Sequence, residues 1–265
     1  MNNQTRHFRP TEGNLISDYE SNLKVLNTVL GNIEYAPGVS SLNYYAISNA
    51  VKGVLLNKSK KEMLENFQRF AEMGALTFKM NAADSSTFTA MVLGKEFELQ
   101  SERDGSYLTA MDWLSCLQCA TIAGHQPSID YLLSVPAKVF EMTSASFNAF
   151  DRALVECYKE IYQNGENEEK VLKLIKTVIE NANHPYLNNY AIPTLNVYQS
   201  FYSGQNDLID QAITDALNKH FTYWNTEDNK YDSKGWISIP VISALIHKNY
   251  KTAVKSEYLP ENIID

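Results

Sequence analysis

The chain has 265 residues, is 44% hydrophobic and 20% charged, and carries 23 Lys+Arg against 31 Asp+Glu for a formal charge of −8. Those figures exclude a disordered chain, a collagen-like chain and a small scaffold held together by disulfides. A chain of this length buries enough apolar surface to fold without a metal, and its negative field disfavours nucleic acid and membrane surfaces as ligands while favouring a basic protein partner.

The acidic excess is local. Residues 101 to 169 hold 4 basic and 11 acidic side chains, whereas residues 1 to 100 hold 10 of each. Along the first eighty residues, apolar side chains recur at helical spacing in three stripes: Leu15, Tyr19, Leu23, Leu26 and Leu30; Leu42, Tyr45, Ala46, Asn49, Gly53 and Val54; and Met63, Phe67, Phe70, Gly74 and Phe78. This periodicity predicts three helices. From Thr87 the pattern changes, and Glu96-Phe97-Glu98-Leu99 alternates polar with apolar after Gly94-Lys95. Period two predicts a small β-hairpin near residues 90–101, with Gly94 first in a type II′ turn.

Helical stripes return after Ser106. Phe147, Phe150, Leu154, Cys157, Tyr158 and Ile161 form one, residues 171 to 182 a second, and Leu208, Ile209, Ala212, Ile213, Ala216, Leu217, His220 and Trp224 a third. These stripes place most tyrosines, including Tyr19, Tyr45 and Tyr158, in the core. Breaks fall at Gly124, at Asn164-Gly165 and at Gly204-Gln205, with glycines 41 and 39 residues apart. A left-handed glycine ends one helix, Asn or Asp opens the next, and the spacing approaches the ~40 residues of a repeating helix pair. The expected fold is all-α: an irregular stack of antiparallel helices, arranged as helical hairpins, with the one small hairpin. It forms a single domain over 1–265 with a soft division near 105, between N-terminal helices plus hairpin (1–105) and a helical-hairpin lobe (106–265).

No G-x-G-x-x-G, Walker A loop, nucleophile elbow or H-E-x-x-H occurs. Cys116-Leu117-Gln118-Cys119 is a C-x-x-C without βαβ context or a second pair. With Cys157 it reads as buried small hydrophobes, not as redox or zinc chemistry. The histidines His7, His125, His184, His220 and His247 are scattered. Only His220 has a suggestive place, on an apolar stripe beside Trp224, where a structural role is expected. No cofactor and no metal is expected. The N-terminus lacks an apolar leader, and Trp236 to Ile246 is too short and too interrupted to span a membrane, so a cytoplasmic chain is expected.

The stretch Ala216-Leu217-Asn218-Lys219-His220-Phe221-Thr222-Tyr223-Trp224, then Gly235 with an apolar helix, then Ser256-Glu257-Tyr258-Leu259-Pro260, resembles the immunity protein 49 family of bacterial polymorphic toxin systems. Trp113, Ala120 and Gly124 look like that family's middle helix. The resemblance implies a mainly helical cytoplasmic protein that binds and neutralises a cognate toxin without catalysis. An acidic inhibitor is compatible with an ADP-ribosyltransferase, a nuclease or another toxin acting in the cytoplasm. The residues matching the pattern, His220, Tyr223, Trp224, Gly235, Tyr258, Leu259 and Pro260, are expected to be structural, with Tyr258-Leu259-Pro260 as a terminal latch. Acidic residues are expected to face the toxin: Glu156, Glu160, Glu166, Glu168 and Glu169 around one helix turn, and Glu227, Asp228 and Asp232 in the later loop. Two other classes fit the same residues. One is a helical-repeat adaptor binding a peptide or client protein, and the other an enzyme that reverses a toxin's modification through His220 and nearby carboxylates.

Overall fold

The computed structural model describes residues 4–31, 33, 42–101, 108–142, 147–163, 165–182, 187–204 and 206–264. His184, the turn residues Asn164 and Gln205, the side chain of Leu42 and the division expected near 105 lie outside them. Among the described residues the regular structure is twelve α-helices and one two-stranded hairpin. No helix among them is long and apolar enough to cross a membrane. Contacts group the chain into two compact units, Pro10–Phe147, and Asn148–Asp265 together with Met1–Arg9.

In the first unit, α1 (Glu12–Leu30), α2 (Leu42–Leu55) and α3 (Lys60–Ala82) follow in order, then β1 (Thr87–Val92), β2 (Lys95–Gln100), α4 (Ala110–Ala123), α5 (Gln126–Ser134) and α6 (Ala137–Phe140). Thr11, Ser59 and Thr109 open α1, α3 and α4 by accepting the backbone N–H three residues on. Each cap satisfies a donor that the helix itself leaves free. The end of α4 is set by Gly124 at φ +64°, with His125 N–H returning to the Ala120 carbonyl. Such a left-handed residue closes the last turn, as the sequence predicts.

The middle helix α3 packs on both α2 and α4, and its contact with α4 bridges residue 105. That contact is unusually close, because a Cβ on Gly74 would lie 2.0 Å from Cys116 Sγ. Cys116 and Cys119 are therefore buried packing residues, and Trp113 beside them is fully buried with its indole N–H donating to the Leu132 carbonyl at 2.8 Å. Tyr19 is buried, but Tyr45 is 38% exposed near the start of α2, outside the face made by Ala46, Ile47, Ala50, Val51 and Val54.

The hairpin differs from expectation by one residue in its turn. Val92 pairs with Lys95, so the connection is Leu93-Gly94, with φ +49° and +75°. Two left-handed residues make a type I′ turn, not a type II′ turn. Gly94 takes the second position without cost, while Leu93 takes the first at a steric cost of about 1–2 kcal/mol. A carboxylate offsets it: Glu72 of α3, 9% exposed, accepts the Leu93 N–H. That partner lies twenty-one residues away and leaves no local trace in the sequence.

The second unit contains α7 (Ala149–Gln163), α8 (Glu168–Asn181), a π-helical turn Leu187–Ala191, α9 (Ile192–Tyr202), α10 (Ile209–Trp224), a 3-10 turn Ser233–Gly235, α11 (Ile239–His247) and α12 (Glu261–Ile264). Neighbours in sequence pack together, α7 on α8, α8 on α9 and α9 on α10, as stacked helical hairpins do. Gly204 is left-handed at φ +67°, but Gly165 is not among the positive-φ glycines. Gly165 serves close approach instead: a Cβ there would sit 2.8 Å from both the Ile161 carbonyl and the Tyr202 hydroxyl.

Candidate functional site

Four residues of the C-terminal pattern, His220, Trp224, Gly235 and Tyr258, meet in one buried junction of the second unit. Along α10, the side chains of Ile209, Ile213, Ala216, Leu217, His220 and Trp224 are buried, which sets His220 and Trp224 one turn apart on the inner face. The chain loops through 225–232 and returns as Ser233–Gly235. There the Gly235 carbonyl accepts from His220 Nε2 at 2.9 Å. A Cβ on Gly235 would stand 2.2 to 2.6 Å from the Trp224 ring atoms Cδ2, Cγ and Cε3. Only glycine lets the backbone lie on that indole face.

Tyr258, 0% exposed, completes the junction. Its ring meets His220 edge-on with centroids 4.8 Å apart, and its carbonyl accepts the Ser238 N–H at 2.9 Å, at the start of α11. Leu259 is buried beside it, and Tyr258 thereby ties the C-terminal segment to the start of α11.

The other half of this closure was not read from the sequence. Residues 4–9 run beside 256–257, with Gln4 and Ser256 forming a parallel bridge. Arg6 donates from its backbone to Glu257 Oε2 at 2.8 Å, from Nε to the Trp236 carbonyl at 2.6 Å and from its guanidinium to the Glu257 carbonyl at 2.7 Å. His7 reaches the Tyr258 hydroxyl through its backbone N–H at 2.9 Å and through Nδ1 at 2.8 Å. Phe8 packs on Trp236 and Tyr231, and Arg9 forms an ion pair with Glu257. The one signal available was the run Arg6-His7-Phe8-Arg9, charge and aromatics in a segment without helical periodicity.

Burial pushes the His220 imidazole down to about 3, against the opposing pull of the Gly235 carbonyl, and pushes the Tyr258 phenol up to about 12. His220 is thus neutral at pH 7, and the carbonyl requires the proton on Nε2. It is 3% exposed, and its Nε2–H is committed to the Gly235 carbonyl. The linkage has a definite sign. The unfolded chain binds a proton at His220 near pH 6.5 and the folded chain only near pH 3, so stability is full above 6.5 and falls as pH drops through that window. The expected loss over the whole window is on the order of 5 kcal/mol at this residue. Urea unfolding midpoints should decline from pH 7 to pH 4, with a shallower decline in His220→Gln, and equal slopes in the two proteins would contradict this assignment.

The acidic residues divide by environment. Glu156, Glu166, Glu168 and Glu169 are exposed on α7, its following turn and α8. Asn167 caps α8 by accepting the Lys170 N–H at 3.1 Å, and Glu168 and Glu169 lie in its first turn, where negative charge complements the helix dipole. Glu160 differs from the surface role expected of it. It is 6% exposed and accepts from Lys170 Nζ at 2.6 Å, tying α7 to α8. In the later loop Glu227 and Asp228 are exposed, Glu227 pairs with Lys230, and Asp232 caps the 3-10 turn by accepting the Lys234 N–H at 3.0 Å. Tyr223, half-buried at the end of α10, has its phenol raised by burial and then by Asp232.

Two clefts flank α10. One of about 720 Å³ lies between α9 and α10, lined by Asn188, Pro193, Asn196, Asp215 and Lys219 among others, and one of about 610 Å³ lies near Gln4, Asp207, Asp210 and Lys255. Neither is reached by the buried His220. Among the described residues no three His, Cys, Asp or Glu side chains could share a metal ion, and burial pushes the Cys157 thiol up to about 12.

The model of one family, immunity protein 49, matches residues 55–263. The chain belongs to the immunity protein 49 family. Comparison with curated proteins and with solved structures returned no match. The matched span contains the whole junction of His220, Trp224, Gly235 and Tyr258. Residues 4–9, which close that junction, lie outside the span.

Proposed function

We propose that this immunity protein 49 family member binds a cognate antibacterial toxin domain in the cytoplasm and neutralises it by covering its active site, with no catalysis of its own. The family match over residues 55–263 is the observation that carries this reading. The exposed carboxylates Glu156, Glu166, Glu168, Glu169, Glu227 and Asp228 support it, since they project negative charge toward a basic toxin surface such as that of a nuclease or an ADP-ribosyltransferase. Glu160 and Asp232 contribute indirectly, by holding α7 to α8 and shaping the loop.

The test is an affinity pull-down of the tagged full chain from cells that also express the genes immediately upstream. One toxin domain retained in stoichiometric amount is expected, and cells making that toxin should grow only when the chain is present. Charge reversal of Glu156, Glu168 and Glu169 should slow association about tenfold or more at low salt. A scatter of weakly held proteins would instead point to an adaptor and overturn the reading.

A further inference from the structure

The hairpin of the first unit carries a feature that toxin neutralisation does not by itself require. In a two-residue connection the closing pair, Val92 with Lys95, is hydrogen-bonded, and bonded pairs then alternate along the ladder. Ser101 N–H donating to the Ser86 carbonyl at 2.9 Å has the phase this demands. The backbone groups of Glu96, Glu98 and Gln100 therefore point away from β1, along the outer edge of β2. Among the described residues no third strand covers that edge, because the sheet has only two strands and it is β1 that lies against α3.

Three observations show how this edge is built. Its inner face is anchored, with Ala90, Val92 and Leu99 buried. Its turn is locked by the Glu72 carboxylate on the left-handed Leu93, and Glu72 is itself held by Gln68 Nε2 at 2.7 Å and faces His125 Nε2 at 3.2 Å. The residues with outward backbone groups also carry exposed side chains, Glu96, Glu98 and Gln100 on β2, beside Thr87, Thr89 and a 57% exposed Met91 on β1. Rigid anchoring and a strained turn held by a distant carboxylate keep the edge ready for a partner at little further ordering cost.

The charge on the edge selects the occupant. An incoming strand places its side chains directly opposite Glu96 and Glu98, where opposite charge stabilises and like charge destabilises. A second copy adding antiparallel through the same edge would set glutamates against glutamates, so self-pairing is disfavoured. We propose that the outer edge of β2 takes up an extended, basic strand of the toxin through backbone hydrogen bonds, with Glu96 and Glu98 paired to lysine or arginine side chains of that strand. This inference rests on the toxin-binding reading above and names the form of the partner that this edge accepts.

The probes are the synthetic peptides (Lys-Val)4, (Glu-Val)4 and (Lys-Pro)4, added at millimolar concentration to the full-length isotope-labelled chain while amide exchange is followed. (Lys-Val)4 should slow exchange at the Glu96 and Glu98 amides about threefold or more, and the other two peptides should leave it unchanged. Glu98→Pro removes the outward N–H together with the Glu98 carboxylate but no hydrogen bond to β1, so it should keep the hairpin, checked by retained protection of the Ser101 amide, and abolish the effect at the Glu96 amide. The variant with Glu96→Lys and Glu98→Lys should switch its preference to (Glu-Val)4. Unchanged exchange under (Lys-Val)4, or an equal effect in Glu98→Pro, rejects the edge. The pull-down separates the two readings: a toxin retained equally by Glu98→Pro rejects the edge and leaves the immunity reading standing. Peptide uptake with no toxin retained rejects the toxin as the strand's source.

Discussion

Replacing Gly235 with Ala is expected to destabilise the second unit by about 3 kcal/mol or more. The reason is geometric. The added methyl would stand 2.2 Å from Trp224 Cδ2, a separation that no rotamer of the indole relieves while Trp224 stays 5% exposed in the core. Either the Trp224 ring or the Ser233–Gly235 turn must move, and moving the turn breaks the 2.9 Å hydrogen bond from His220. Thermal denaturation followed by circular dichroism should show a midpoint lower by about 10 °C. Pairing the change with Trp224→Ala should cost less than the sum of the two single substitutions, because the residues share one contact. Additive effects would mean that the close approach of Gly235 to the indole is not what requires glycine there.

Removing residues 1–9 is expected to cost about 3–5 kcal/mol, far more than an exposed terminus ordinarily contributes. Without them the carbonyls of Trp236 and Glu257, the Glu257 carboxylate and the Tyr258 hydroxyl all lose the partners that Arg6 and His7 supply. Each of these part-buried hydrogen bonds contributes about 0.5–1.5 kcal/mol, more where a charged group takes part, and the Trp236 ring also loses Phe8. The truncated chain should unfold at lower urea concentration and be cut sooner near residues 251–257 in limited proteolysis. A truncated chain as stable as the intact one would show that the segment rests on the second unit without supporting it.

Much of the fold was legible because helices announce themselves by period. The stripe on α10 placed His220 and Trp224 inside, the alternation after Lys95 marked the hairpin, and Gly124 and Gly204 marked helix ends, all of them local consequences of backbone geometry. The family was likewise legible as a resemblance carried by His220, Trp224, Gly235, Tyr258 and their neighbours. The misreadings share one cause. Leu93 takes a left-handed turn position because Glu72 pays it back with a hydrogen bond from another helix, Glu160 is buried because Lys170 meets it, and Gly165 is needed because Tyr202 comes close. Tyr45 sits on the predicted stripe, yet no neighbouring element covers it fully.

The helical class, the order of the elements and the burial of His220 and Trp224 follow from the sequence pattern alone, and the family from a resemblance carried by the C-terminal residues. Tertiary contacts settled which glycine lies against which ring, which carboxylates are exposed, which edge of the two-stranded sheet has no third strand among the described residues, and that residues 4–9 close over Ser256–Tyr258. Those outcomes depend on contacts between residues up to 252 positions apart, and a periodic pattern records the face a side chain occupies but not the group it meets there.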